Sequence, residues 1–367
     1  MNILYHMPTK VIMGEDCVRQ NAALLRELGK KALIVTGMHS SKVNGSLDDV
    51  EAVLAQNGQS YAIYDKVMSN PTIACVYDGA AFARQQKADF IVAIGGGSPM
   101  DAAKAIALLA SQNIPQDKLF SGQYGANIMP MVHIPTTAGT GSEVTQYAIL
   151  TNNELQTKSS IASSLLFPKY AFLDARYMSG LSRAVSVNTA IDALSHLVEG
   201  MLTKRANALT NVIAAEGIKE ITLCFEALSK NALTINMRER LLYASMLGGI
   251  VIANTGTTAL HAMGYPLTYF RNIDHGRANG LLMPSFFEFL ERPIPDKITD
   301  ILMIMGLSST EAFKHTLAQL LGDKERVTKE ELEKYSIIAC GTKNIANTAV
   351  PPTADDVLSI YRRSFLD

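Results

Sequence analysis

Apolar residues in the first half of the chain come in short, unbroken runs. FIVAI (90–94) has no polar alternation, the pattern of a strand covered on both faces, and similar runs sit within KALIVTG (31–37), YAIYD (61–65), MPMVHIPTTAG (129–139) and YAFLD (170–174). Between them, apolar positions around 47–56 and 73–86 recur at helical spacing. Short strands alternating with helices predict a parallel sheet flanked by helices. From about Ser182 the pattern changes, and long amphipathic stretches at 186–202, 208–229 and 238–254 predict packed helices. The expected division is an α/β domain over residues 1–178 followed by an all-helical domain over 179–367.

The run at 90–94 ends in Gly95, Gly96 and Gly97, then Ser98, Pro99, Met100 and Asp101. Ser98 is placed to cap a helix, Pro99 to fill its first turn, where a missing N–H is harmless, and Asp101 to complete an S-x-x-D box. Three glycines let backbone N–H groups approach a ligand without Cβ interference, where the helix dipole favours an anion. The turn reads as a phosphate seat or as a tight connection that holds no ligand.

Composition narrows the function classes. The 367 residues are 48% apolar and the formal charge is −1, with both signs interspersed. Two cores are affordable, there is no basic stripe for nucleic acid, and small-molecule work is the expectation. No stretch approaches the ~20 apolar residues of a membrane span, and MNILYHMPTKVIMG lacks an export-signal pattern, so a cytoplasmic protein away from membranes is expected. Cys17, Cys75, Cys224 and Cys340 have no C-x-x-C spacing and read as buried thiols. His133, inside an apolar strand, reads as a satisfied core imidazole.

Asp192 and His196 stand four residues apart in SVNTAIDALSHLVEG and so share one helix face. Alone they would read as a partly exposed Asp–His pair on a helix surface. His261 follows in a small-residue helical stretch, and His275 precedes a glycine after a loop. One carboxylate and three imidazoles suit a first-row divalent ion, Fe²⁺ or Zn²⁺, better than Mg²⁺ or Ca²⁺, which favour oxygen. A charge of about +1 would remain on such a centre.

GGGSPMDAAK, PTTAGTGSE, DALSH and HAMGYPL with its later HG, together with the tail NTAVPPTADDVLSIYRRSF, resemble the iron-containing (group III) alcohol dehydrogenase family over nearly the whole chain. The resemblance implies a dinucleotide-binding α/β domain, a helical metal domain and an active site in the cleft between them. It places the metal ligands on Asp192, His196, His261 and His275. It places the pyrophosphate loop on Gly95, Gly96, Gly97 and Ser98, with Asp101 towards the nicotinamide. Thr136 and Thr137 would line phosphates and ribose, Lys158 would approach the nicotinamide ribose, and Asn70 would lie at the adenine side. The implied reaction moves a hydride between the coenzyme and a small primary alcohol or aldehyde, in a homodimer or larger homo-oligomer.

Two positions depart from the family pattern. Gly37 stands where many members carry an aspartate, and with Ser40, Ser41 and Lys42 it favours NADP(H) over NAD(H). Tyr265 stands where many carry a further histidine, so it either passes the alcohol proton or only packs. Two other readings stay open. A metal- and nicotinamide-dependent cyclase or lyase resembling dehydroquinate synthase would be built around a glutamate and two histidines, and a nucleotide-binding scaffold would not need four ligands.

Overall fold

The structure is a computed structural model and describes residues 3–366. Its packing divides the chain into two compact units, one comprising residues 7–137 and 141–181, the other comprising the segment ending at His6, Ala138–Thr140 and the chain from Ser182 onward.

The first unit is built on β1 (Lys10–Met13), β2 (Lys31–Thr36), β3 (Ser60–Tyr64), β4 (Phe90–Gly95), β5 (Met131–Pro135) and β8 (Tyr170–Leu173), all parallel, in the order β1-β8-β5-β4-β2-β3. Alternate residues face opposite sides. Leu33, Val35, Ile91 and Ala93 pack with Val76, Ala80, Ile106 and Leu109, while Ala32, Ile34, Val92 and Ile94 pack with Leu25, Val50 and Leu54. Both faces are thus covered, by α1 (Ser46–Gln56), α2 (Ile73–Gln86), α3 (Gly97–Ser111) and the helical turns that contain Cys17 to Arg26. That is why the strand runs carry no polar alternation. Truncating one of these leucines or isoleucines to alanine would cost about 2–5 kcal/mol.

Two local features differ from the sequence expectation. An antiparallel hairpin, β6 (Tyr147–Asn152) with β7 (Thr157–Ala162), stands outside the main sheet. Helix α3 also starts earlier, with Gly96 at its N-cap and no side-chain cap. Ser98 caps nothing because its Oγ accepts the Asn70 N–H at 3.1 Å, and Asp101 turns its carboxylate to Ser142 and to the Ile149 N–H.

The second unit is helical, as expected, with α4 (Arg183–Met201), α5 (Ala208–Thr222), α6 (Ile235–Thr255), α7 (Ala259–Arg271), α8 (His275–Glu291) and α9 (Ala354–Phe365) among its elements. Ser182, Thr234 and Thr258 cap α4, α6 and α7 by accepting backbone N–H groups. Helix α8 begins against α4, and a Cβ at Gly276 would lie 1.9 Å from the Asn188 carbonyl oxygen. Only a residue without a side chain permits that approach. Among the described residues no helix is long and apolar enough to cross a membrane.

Candidate metal centre and coenzyme-binding loops

Three helices bring the polar groups of the second unit together. Helix α4 carries Asp192, His196 and Glu199 at i, i+4 and i+7, one stripe of titratable groups on a largely buried helix. His261 lies in the first turn of α7, and His275 is the first residue of α8. Donor atoms of Asp192, His261 and His275 all lie within 4.8 Å of one another. His196 stands beside this group: its ring stacks on His261 with centroids 4.8 Å apart, and its Nδ1 is 3.3 Å from the Gly139 carbonyl oxygen. Burial, opposed by Asp192, holds the His196 imidazole below its ordinary pKa, so it is neutral near pH 7.

The charges in this cluster are unbalanced. Asp192 is 4% exposed, its Oδ1 has no hydrogen-bond partner among the described residues, and the His275 Nε2 is 4.0 Å away. Glu199 is fully buried and reaches His261 Nδ1 through Oε2. Its Oε1 accepts from the Thr258 N–H at 2.7 Å, the Thr258 hydroxyl at 2.5 Å and the His261 N–H at 3.3 Å. Burial alone would raise the Glu199 pKa, but His261 and the Thr258 donors outweigh it and hold the carboxyl below its usual value. Neither carboxylate is paired with a lysine or arginine among the described residues. An acceptor oxygen without a donor, beside imidazoles and without a local cation, fits a divalent transition metal.

Tyr265, half-buried on α7, contacts two of these rings. It stacks on His275 with centroids 5.5 Å apart and meets His261 edge-on at 6.3 Å.

In the first unit, chain connectivity runs from β2 outward to β3 on one side and from β4 to β5 on the other, so the strand order reverses between β2 and β4. Gly37 follows β2 and Gly95 closes β4, with Thr36 and Ile94 in register. Gly95 has φ +148°, a conformation open to glycine, and a Cβ on Gly96 would come within 3.0 Å of Thr137 Oγ1. Thr136 donates its N–H to the Gly95 carbonyl at 2.9 Å. Asn70, at φ 57°, is tied to Ser98 and accepts the Thr151 hydroxyl at its carbonyl. Lys158 sits opposite Thr151 in the hairpin, and its charge helps offset the rise that burial imposes on the Asp101 pKa. Ser40 and Lys42 are exposed, with Lys42 Nζ 2.7 Å from Asp65. Ser41 is fully buried, and its Oγ accepts the Thr36 hydroxyl at 2.8 Å.

Comparison with known proteins matches residues 8–175 to the model described as iron-containing alcohol dehydrogenase, and residues 186–365 to the Fe-containing alcohol dehydrogenase family, C-terminal. The 1,3-propanediol dehydrogenase of Klebsiella pneumoniae is 34% identical over 328 residues, 87% of this chain and 83% of that protein. The chain belongs to the iron-containing alcohol dehydrogenase family. The lactaldehyde reductase of Escherichia coli strain K12 is 34% identical over 76% of this chain and 73% of its own. The crystal structure of an iron-containing alcohol dehydrogenase from Thermotoga maritima superposes with a TM-score of 0.92 at 39% identity, covering 99% of each chain. This iron-containing alcohol dehydrogenase is therefore an alcohol oxidoreductase of a family that works with a metal and a nicotinamide coenzyme.

Two features of this dehydrogenase went unread in its sequence. Glu199 completes the polar stripe of α4, and the i, i+4, i+7 spacing from Asp192 was the available signal. Lys104, fully buried on α3, donates to Ser142 Oγ at 2.8 Å, Thr145 Oγ1 at 3.0 Å and the Tyr147 carbonyl at 2.8 Å. Ser142 in turn donates to Asp101 at 2.6 Å. Burial lowers the Lys104 pKa to about 8, and burial raises that of neighbouring Glu143 to about 7. His133 is in the core as expected, but neither ring nitrogen has a hydrogen-bond partner among the described residues.

Proposed function

We propose that this dehydrogenase moves a hydride between NADP(H), with NAD(H) as the poorer coenzyme, and the carbinol carbon of a small primary alcohol or its aldehyde. Asp192, His196, His261 and His275 would hold the ion, Fe²⁺ or Zn²⁺. The buried Asp192 oxygen that lacks a donor, with the His261 and His275 donor atoms within 4.8 Å of it, carries this reading, because a cation would satisfy all three. A bound divalent ion supplies Lewis acidity. The protein's part is to hold the donors on three rigid helices, two in the middle of α4 and one at the start of each of α7 and α8, and to keep the centre largely buried.

For the coenzyme, the strand-order reversal and the uncapped N-terminus of α3 support a pyrophosphate at Gly95, Gly96, Gly97 and Ser98. Thr136, Thr137, Asn70, Asp101 and Lys158 surround that loop or are tied to it. Gly37 favours NADP(H): a Cβ there would meet only the Val67 carbonyl oxygen, at 3.5 Å, so an aspartate has room but is absent. Ser40 and Lys42 remain the donors for a 2′-phosphate, which would compete with Asp65 for the ammonium.

Removing the metal with a chelator should abolish alcohol oxidation, and Fe²⁺ or Zn²⁺ should restore it; full turnover by demonstrably metal-free protein rejects the reading. Gly37→Asp should weaken kcat/KM for NADP(H) by about 1–3 kcal/mol while sparing NAD(H). A wild-type preference for NAD(H) reverses the coenzyme assignment.

A further inference from the structure

Glu199 has hydrogen-bonding partners that dictate where the His261 proton sits. Its Oε1 is engaged by the Thr258 N–H, the Thr258 hydroxyl and the His261 N–H. Two of these are backbone groups that can only donate. Its Oε2 meets His261 Nδ1. A carboxylate that accepts at both oxygens would place the ring proton on Nδ1, and a neutral ring would then keep its lone pair on Nε2. Asn279 Nδ2 lies 3.5 Å from that Nε2, an amide nitrogen facing a lone pair.

We propose that Glu199 is a positioning residue that fixes the tautomer of His261, holding the proton on Nδ1 so that Nε2 stays open to the metal. The inference rests on the reading of His261 as a ligand. It separates two roles that the geometry places on one carboxylate. One oxygen completes the N-terminus of α7, and the other sets the chemistry of the imidazole.

Glu199→Gln separates them. The glutamine carbonyl must stay where Oε1 was, because three donors converge there, and this turns the amide NH₂ towards Nδ1. An amide nitrogen donates, so Nδ1 becomes the acceptor and the ring proton moves to Nε2, closing the lone pair. The substitution is isosteric and keeps the contacts at the start of α7, yet it presents the wrong nitrogen. Metal-supporting partners of this type typically contribute about 10–100-fold in affinity.

The experiment uses the full chain stripped of metal, with Zn²⁺ affinity read by competition against a chromophoric chelator and metal-free melting followed in parallel. Glu199→Gln should bind Zn²⁺ about 10–100-fold more weakly than wild type, with a nearly unchanged melting temperature. Thr258→Ala, which removes a donor to Oε1 and the α7 cap, should lower the melting temperature and change Zn²⁺ affinity by less than about threefold. Wild-type affinity in Glu199→Gln, or equal losses in both variants, would reduce Glu199 to a helix cap and overturn the proposal. If His261→Ala binds Zn²⁺ as well as wild type, the ligand reading itself fails, and the proposal with it. Nitrogen-15 NMR of histidine-labelled, metal-free wild type provides a test independent of any variant: a protonated Nδ1 on His261 supports the proposal, and a protonated Nε2 with bare Nδ1 overturns it.

Discussion

Each unit of the molecule buries a polar cluster, and the two clusters differ in whether they contain their own cation. In the α/β unit, Asp101 lies 3.8 Å from the Lys104 ammonium, both share Ser142, and the same ammonium faces buried Glu143, whose pKa burial raises to about 7. In the helical unit, Asp192 and Glu199 bring two negative charges and no lysine or arginine partner among the described residues. A buried carboxylate with its own ammonium is a closed structural device, whereas one without it awaits a cation from solution. An internal cation would therefore separate a brace from a binding centre where burial alone does not. Glu199 also revises the charge expected from the sequence. With a divalent ion the two carboxylates sum to zero, where Asp192 alone would leave +1.

The largest effect should follow from removing the unbalanced charge. Asp192→Asn should lower kcat/KM by roughly 10⁴-fold, about 5 kcal/mol, and should raise the melting temperature of metal-free protein, because it relieves a buried carboxylate that has an unpaired oxygen. A fall in metal-free stability would break the contrast between the clusters. Next in size is the opposite manipulation in the other unit. Lys104→Met leaves the partly buried Asp101 without its cation and should cost about 3 kcal/mol in urea unfolding, with Zn²⁺ affinity unchanged. Undiminished stability would show that Lys104 braces nothing. The smallest effect sharpens the comparison at its edge. Tyr265→Phe keeps the ring that stacks on His275, so alcohol oxidation should fall by less than about threefold with the shape of its pH profile preserved. A displaced profile would assign the hydroxyl a part in proton movement, and Tyr265→His should then raise oxidation near neutrality.

Legibility from sequence followed the same division. Five strands of the sheet could be read, β4 most plainly because every position in it is buried, whereas the edge strand β1, which buries none of its residues, could not. The β6–β7 hairpin could not, since Thr157–Ala162 buries only Ile161 and shows no strand pattern. Asp192, His261 and His275 declared themselves by residue type, and the fold gathers them, while His196 stands at their side. Glu199 and Lys104 were missed for a shared reason. A charged residue on a helix reads as solvated, and what buries these two arrives from afar: Thr258 is 59 residues beyond Glu199, and Ser142 is 38 beyond Lys104. The Ser98 cap failed because a long-range donor, Asn70, took the hydroxyl that local rules assigned to the helix.

The unmatched Asp192 oxygen also bears on how long the chain survives. Whatever binds the folded state alone stabilises it by mass action, so metal-free chains open more often than loaded ones and present more of their backbone to proteases. Newly made protein that meets no ion would then be cleared faster than protein that does. The abundance of this dehydrogenase would track the supply of its metal without any dedicated sensor, through one carboxylate oxygen left waiting inside a helix bundle.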